Sequence, residues 1–461
     1  MKYKKIISVI LLCSLLLSGC GTQSENSNSD NSIKETSAPT ETQITETESK
    51  SETIPETESD SETETIPETE ETTVTLEISS IGEINMSKEF QKNQMNSAVT
   101  LLRRRAEQDY DKNLLISPFS ILTALALTTN GSDGSTKNQM EQFFNQDITA
   151  LNTDLKNYTD SLTSTETAKC VSVNSIWIKQ TDEITVREDF LKIADEIYQA
   201  GIFEEPFTSD TKDKINSWVD ENTDHMIHKI IDNIDEDAVM YLINALTFDA
   251  QWADQYEDYQ IEDDIFTSAD GTERTVSMMH SREWGYLDDG NAVGFIKPYK
   301  GTYEFVALLP NENTDIRNYL NTLDSEKILD LLQNPQDFDV DAKLPAFESE
   351  YETSLKETLQ NMGMADAFSR ESADFSKMAD VSNPEKKLYI GDVLHKTYIS
   401  VDKNGTKAAA VTSVMVAAAG AAITEEPEIK EVILNRPFVY MIVDTRNYLP
   451  LFMGFVTDIE P

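Results

Sequence analysis

Cysteine is nearly absent: the 461 residues hold three, Cys13, Cys20 and Cys170. Cys13 and Cys20 fall within and at the end of an apolar leader, so no disulfide framework is available and Cys170 reads as a small buried apolar residue. Histidine is almost as scarce, with four. His225 and His228 form the sole close pair. A spacing of three, with no accompanying glutamate base and no third ligand in a zinc pattern, gives no metal centre. The chain also lacks a GxSxG elbow, a GxGxxG turn and a phosphate-binding loop, so neither an enzyme nor a bound cofactor is expected. Basic residues are outnumbered, 38 against 83 acidic, for a net charge of −45. Nucleic-acid binding needs a basic face and is disfavoured. Finally, no apolar run approaches the ~20 residues that a membrane-spanning helix requires.

What is present begins at the N-terminus. Lys2, Lys4 and Lys5 precede an apolar stretch, Ile6 to Leu17, and Leu17-Ser18-Gly19-Cys20 resembles a bacterial lipobox. Residues 1–19 are therefore expected to be a signal peptide, and Cys20 the lipidated residue that anchors the chain at the outer face of a bacterial membrane. Residues 20–75 follow as an almost pure Ser/Thr/Glu/Pro/Asn segment with an imperfect repeat, SETIPETESD and SETETIPETE. So few apolar groups cannot offset the entropy of ordering, and this part reads as an extended, self-repelling tether.

Residues 76–461 show no second low-complexity break and are taken as one α+β domain. Ser87 can cap a helix from Lys88 to about Glu107. Ser117-Pro118 opens a second that gives way at Asn130-Gly131, and Thr136 with Gln139 resembles a capping box opening a third. Strands are expected at Val171–Ile178, Met240–Phe248, Gly294–Lys297, Tyr303–Leu309, Phe338–Leu344, Tyr389–Val401, Phe438–Val443 and Leu451–Val456. The last two are nearly uninterrupted apolar runs, suited to a strand buried on both faces.

One tract is unlike the rest. Gly405 to Gly420, GTKAAAVTSVMVAAAG, follows a charged turn, Asp402-Lys403-Asn404, and precedes the C-terminal strands. Its alanines suit a helix as readily as a strand. Read with period two, Thr406, Ala408, Ala410 and Thr412 share one face, while Lys407, Ala409 and Val411 share the other.

In this context the tract resembles the hinge and reactive-centre loop of a serpin, and NRPFVYMIVD with LPLFMGFV resembles that family's C-terminal strands. The resemblance implies the serpin fold, mixed β-sheets with surrounding helices and an exposed loop at about 403–431. Inhibitory members resemble Gly-Thr-Glu-Ala-Ala-Ala-Ala-Thr at the hinge. This chain has Gly405-Thr406-Lys407-Ala408-Ala409-Ala410-Val411-Thr412, with lysine in place of glutamate. Ser117, Ser120, Asn244 and His395 match the family's shutter, and Trp252 its breach. Family spacing puts the scissile bond between Ala419 and Gly420, although 16 residues then separate Gly420 from Pro437, several more than is common. The implied function is suicide inhibition of an extracellular serine protease, elastase-like or subtilisin-like, by a monomer. The alternative is a non-inhibitory surface serpin that binds a ligand.

Overall fold

In a computed structural model of the chain, the described residues are 86–460, except 163–164, 236–237, 384–386 and 407–427. The strands, in chain order, are β1 (Leu114–Ile116), β2 (Ala168–Lys179), β3 (Ile184–Val186), β4 (Gly201–Glu205), β5 (Met240–Gln251) and β6 (Ile261–Thr267). β7 (Glu273–Asp288), β8 (Ala292–Pro298), β9 (Tyr303–Pro310), β10 (Gln336–Pro345), β11 (Phe347–Ser354) and β12 (Ala379–Val381) follow. β13 (Asp392–Val401), β14 (Gly405–Thr406), β15 (Ile429–Ile433), β16 (Phe438–Asp444) and β17 (Leu449–Val456) complete the set.

They form a nine-stranded sheet in the order β1-β17-β16-β9-β8-β7-β10-β15, with β6 beside β7, and a six-stranded sheet in the order β11-β13-β14-β5-β2-β4. A two-stranded ribbon joins β12 to β3. Mixed sheets with helices against them make this the expected α+β arrangement.

Local sequence explains most of the helices. Ser87 accepts a hydrogen bond from Phe90 N and opens the helix Lys88–Ala106, whose last turn carries three arginines facing the negative end of the helix dipole. Ser117 caps Pro118–Asn130, with proline in the first turn where no N–H is needed. The third helix differs from expectation. Asp133, not Thr136, is its cap, and the helix runs Gly134–Phe144. Thr136 lies inside it, and its hydroxyl instead accepts from Asp374 N. The carboxylate three residues upstream won because Gly134 adopts a positive φ that lets the chain turn into the helix there. The strand expected from Tyr389 begins at Asp392.

The six-stranded sheet is covered on both faces along β5. One face packs into the main core, where the Phe248 ring meets Tyr299, Tyr303 and Phe452 edge-on. On the other, Tyr241, Ile243 and Ala245 pack with Ile215 and Val219 of the helix Ser209–Asn222. Double coverage is why β5 reads as a continuous apolar run instead of an alternating one.

The C-terminal hairpin β16–β17 lies next to the edge strand β1 of the larger sheet, fully buried. Its tightest point is Gly454, where an added Cβ would lie 2.2 Å from the Leu114 carbonyl oxygen and 3.2 Å from the Tyr440 ring. Gly454→Ala should therefore force β1 away from β17 and cost about 1–3 kcal/mol, read as a lowered melting temperature. An unchanged melting temperature would show that β1 yields freely.

Candidate functional site

The site is a place where two strands of the six-stranded sheet part. β13 and β5 pair in parallel from Asp392–Tyr241 to Lys396–Ala245. Above that point their ladder stops. At the far end β14 occupies the space between them: Thr406 pairs antiparallel with Val401 on one side and Ala250 on the other, and Gly405 pairs with Gln251. Thr397–Ser400 and Leu246–Asp249 thus line the two sides of a slot below β14, with no ladder between them among the described residues.

The top of the slot is held by a fixed set of contacts. Gly405 is required by close approach, since a Cβ there would lie 2.0 Å from the Ala250 oxygen. Asp402 forms the turn that delivers it, its carboxylate accepting from Asn404 N at 2.7 Å and from Gly405 N at 3.2 Å. Thr406 is buried, and its hydroxyl bonds the Tyr299 hydroxyl. The Tyr299 ring stacks on Trp252 at 4.3 Å, and Trp252 Nε1 donates to the Asp402 oxygen at 2.8 Å. Beneath lies Lys297, buried on a strand otherwise apolar, with Nζ 2.6 Å from Glu283 Oε1 and 4.3 Å from the Tyr256 ring centroid. Burying this charge is tolerable only because it is paired and stacked on a ring.

The bottom of the slot is polar. His395 and Asn244 face each other across the β13–β5 pairing. Ser117 N donates to His395 Nε2 at 3.1 Å, and Ser120 N donates to Ser117 Oγ at 3.3 Å. Asn244 Nδ2 donates to Asn174 Oδ1 at 2.5 Å, and Thr397 Oγ1 to the Leu115 oxygen at 2.8 Å. All are buried. Ser120 Oγ, Asn244 Oδ1 and His395 Nδ1 have no hydrogen-bond partner among the described residues. The N–H aimed at Nε2 puts the ring proton on Nδ1.

The structure thus brings Ser117, Ser120, Asn244 and His395 together and sets Trp252 with Gly405 and Thr406 at the opposite end of the slot. Lys407, Ala408, Ala409, Ala410, Val411, Thr412, Ala419, Gly420 and Cys20 lie outside the described residues. Sequence reasoning missed Asn174, Tyr299 and the Lys297–Glu283 pair. A lysine directly after the apolar run Val293–Ile296, still within the strand, was the one available signal for the last. His225 and His228 share one carboxylate, with their Nδ1 atoms 2.7 and 2.6 Å from Asp220. Among the described residues, no group of three His, Cys, Asp or Glu side chains is gathered as for a metal ion. Cys170 is free and buried, which raises its thiol pKa.

Burial, with the Arg105 charge as a lesser cause, depresses the His395 pKa to about 3. The unfolded ring protonates near 6.5. Between these values the unfolded chain binds a proton that the native chain refuses, so native stability falls as pH drops below about 6.5. From pH 7 to pH 5 this one group should cost about 2 kcal/mol. Urea unfolding of His395→Gln should lose that much less than the wild type over the same range; equal losses would remove His395 as the cause.

Similarity to known proteins follows the same outline. The family model for serpin (serine protease inhibitor) matches residues 92–459. A serpin-like protein of Methanosarcina acetivorans is 31% identical over 379 residues, covering 79% of this chain and 85% of that protein. The leukocyte elastase inhibitor of Xenopus laevis is 29% identical over 374 residues, 77% of this chain and 95% of that protein. The crystal structure of tengpin, a thermophilic serpin in the native state, superposes with a TM-score of 0.76 at 42% identity, covering 82% of this chain and 96% of that one. A chain matched over most of its length, with a six-stranded sheet parted below the two-residue strand β14, belongs to the serpin family, whose members are in general protease inhibitors.

Proposed function

We propose that the protein is a suicide inhibitor of an extracellular serine protease of elastase-like or subtilisin-like specificity, held at the bacterial surface by a lipid on Cys20. The reading is carried by β14, which enters the sheet between β5 and β13 and is paired on both sides.

A strand that continued the register of β14 downward would set Lys407 opposite Ser400 and Asp249, Ala408 opposite Ile399 and Phe248, Ala410 opposite Thr397 and Leu246, and Thr412 opposite His395 and Asn244. The inward positions demand small side chains, because Ile399, Phe248 and Leu246 already fill the core below. Thr412 would bring a hydroxyl to the row that holds Asn244 Oδ1 and His395 Nδ1. Lys407 would face an acidic neighbour on the outer surface, so lysine in place of glutamate is compatible with entry.

The chemistry starts as proteolysis. The enzyme's serine oxygen attacks the Ala419 carbonyl, the Gly420 amine leaves with a proton, and an ester joins enzyme to loop. Entry of the freed strand would then carry the ester to the far end of the sheet before water reaches it. A ~13-residue strand paired on both sides gains on the order of 20 hydrogen bonds at ~0.5–1.5 kcal/mol each, enough to drive the movement. The small residues flanking the bond suit a shallow or apolar first pocket, and a relative carries the name leukocyte elastase inhibitor.

Incubation with pancreatic elastase and subtilisin should give a covalent complex that survives detergent electrophoresis. Cleavage with no such complex, by either enzyme, would refute the inhibitory reading. Ala410→Arg should turn inhibitor into substrate, raising the stoichiometry of inhibition at least tenfold, because a buried unpaired charge costs several kcal/mol. Ala409→Arg, of opposite parity, should stay within about threefold of the wild type; equal effects would rule out strand entry in this register.

A further inference from the structure

The three most exposed large apolar side chains among the described residues are Tyr259 at 85%, Trp284 at 70% and Ile429 at 48%. All three lie beside the two ends of the 407–427 segment. Ile429 opens β15, the strand into which that segment runs. Trp284 stands in the same row across the sheet, since Asp339 of β10 pairs with Trp284 on one side and with Ile429 on the other. Opposed residues share a face, and two strand spacings put Trp284 about 10 Å from Ile429. Tyr259 follows Asp258, which pairs with Lys403 two residues before the hinge glycine. Gln260 Nε2 donates to the His280 oxygen, tying that turn to β7.

The rows next to Trp284 are charged and open to solvent. Arg282, Asp341 and Glu431 form one, and Asp339 adds to an acidic balance around the two apolar residues, Glu428 being paired with Lys430. An uncovered Trp and Ile in one row of a sheet face carry a cost in water that ordinary surface positions avoid. Trp and Tyr are also the side chains that most often dominate an interface.

We infer that Tyr259, Trp284 and Ile429 form a second contact surface for the protease seated on the loop, one whose active-site rim presents apolar groups flanked by basic ones. This rests on the inhibitory reading. An enzyme engaged on residues between the hinge and β15 is held over both ends of the segment, so this face lies against it. The contact sets how long the first encounter lasts, and therefore which proteases are trapped at a useful rate.

The test compares wild type, Trp284→Ala and Tyr110→Ala, the last an exposed aromatic outside these strands. Subtilisin and pancreatic elastase serve as probes, with the second-order rate constant and the stoichiometry of inhibition measured separately. Trp284→Ala should lower the rate constant about 5- to 20-fold for at least one enzyme, with stoichiometry and melting temperature unchanged, while Tyr110→Ala stays within about twofold. A Trp284→Ala rate constant within twofold of wild type for both enzymes overturns the inference and leaves the inhibitory reading standing. Absence of a covalent complex with wild type overturns both. Sedimentation of the free protein as a dimer that Trp284→Ala dissolves would assign the face to a second copy and overturn the inference as well.

Discussion

The ladder between β5 and β13 is closed at one end and held open at the other, and the rest of the molecule is arranged around that discontinuity. Backbone groups in a sheet interior need partners, and an interrupted ladder is normally eliminated by sliding the strands together. Here β14 prevents it. Two residues fill the upper end, anchored by a glycine that no other residue can replace and by a threonine bonded to Tyr299. Trp252 stacks on Tyr299, and the buried Lys297–Glu283 pair sits against Trp252 in turn.

The same constraint explains why polar groups gather at the lower end. Buried polar side chains cost stability unless bonded. A purely apolar row at Asn244 and His395 would pack more favourably, yet it would offer no hydrogen bond to the strand that the proposed mechanism inserts. The cluster instead bonds Ser117 N and Asn174 while leaving three acceptor or donor atoms without protein partners among the described residues.

Much of this was legible in the sequence because the elements involved are strongly patterned. β5, β16 and β17 are long apolar runs, and the serine caps at Ser87 and Ser117 carry their mechanism with them. The slot itself was reached through a family resemblance, since no local rule joins Ser117 to His395 across 278 positions. Other features escaped for physical reasons. β7 is interrupted by Gly285 and by shifts in register on both sides, so its alternation is blurred and Trp284 did not stand out. Asn174 is hidden by a strand whose neighbours, Val173 and Ile176, read as ordinary core. Thr136 satisfied a capping pattern, yet a better-placed carboxylate at Asp133 took the role.

The charge distribution follows from the same geometry. In the proposed mechanism a strand entering between β5 and β13 would have to avoid a like charge, and the row that would receive Lys407 has Asp249 on one side, with Ser400 and Glu348 beyond it on the other. On insertion a glutamate at position 407 would be repelled there, whereas a lysine would be accommodated on the outer face, in water, where opposed pairs contribute only a few tenths of a kcal/mol. So small a term could not drive the proposed insertion, which would rest on the hydrogen-bond ladder. It would favour one sign of charge at the first inserting residue, and the acidic flanking residues would favour a positive one.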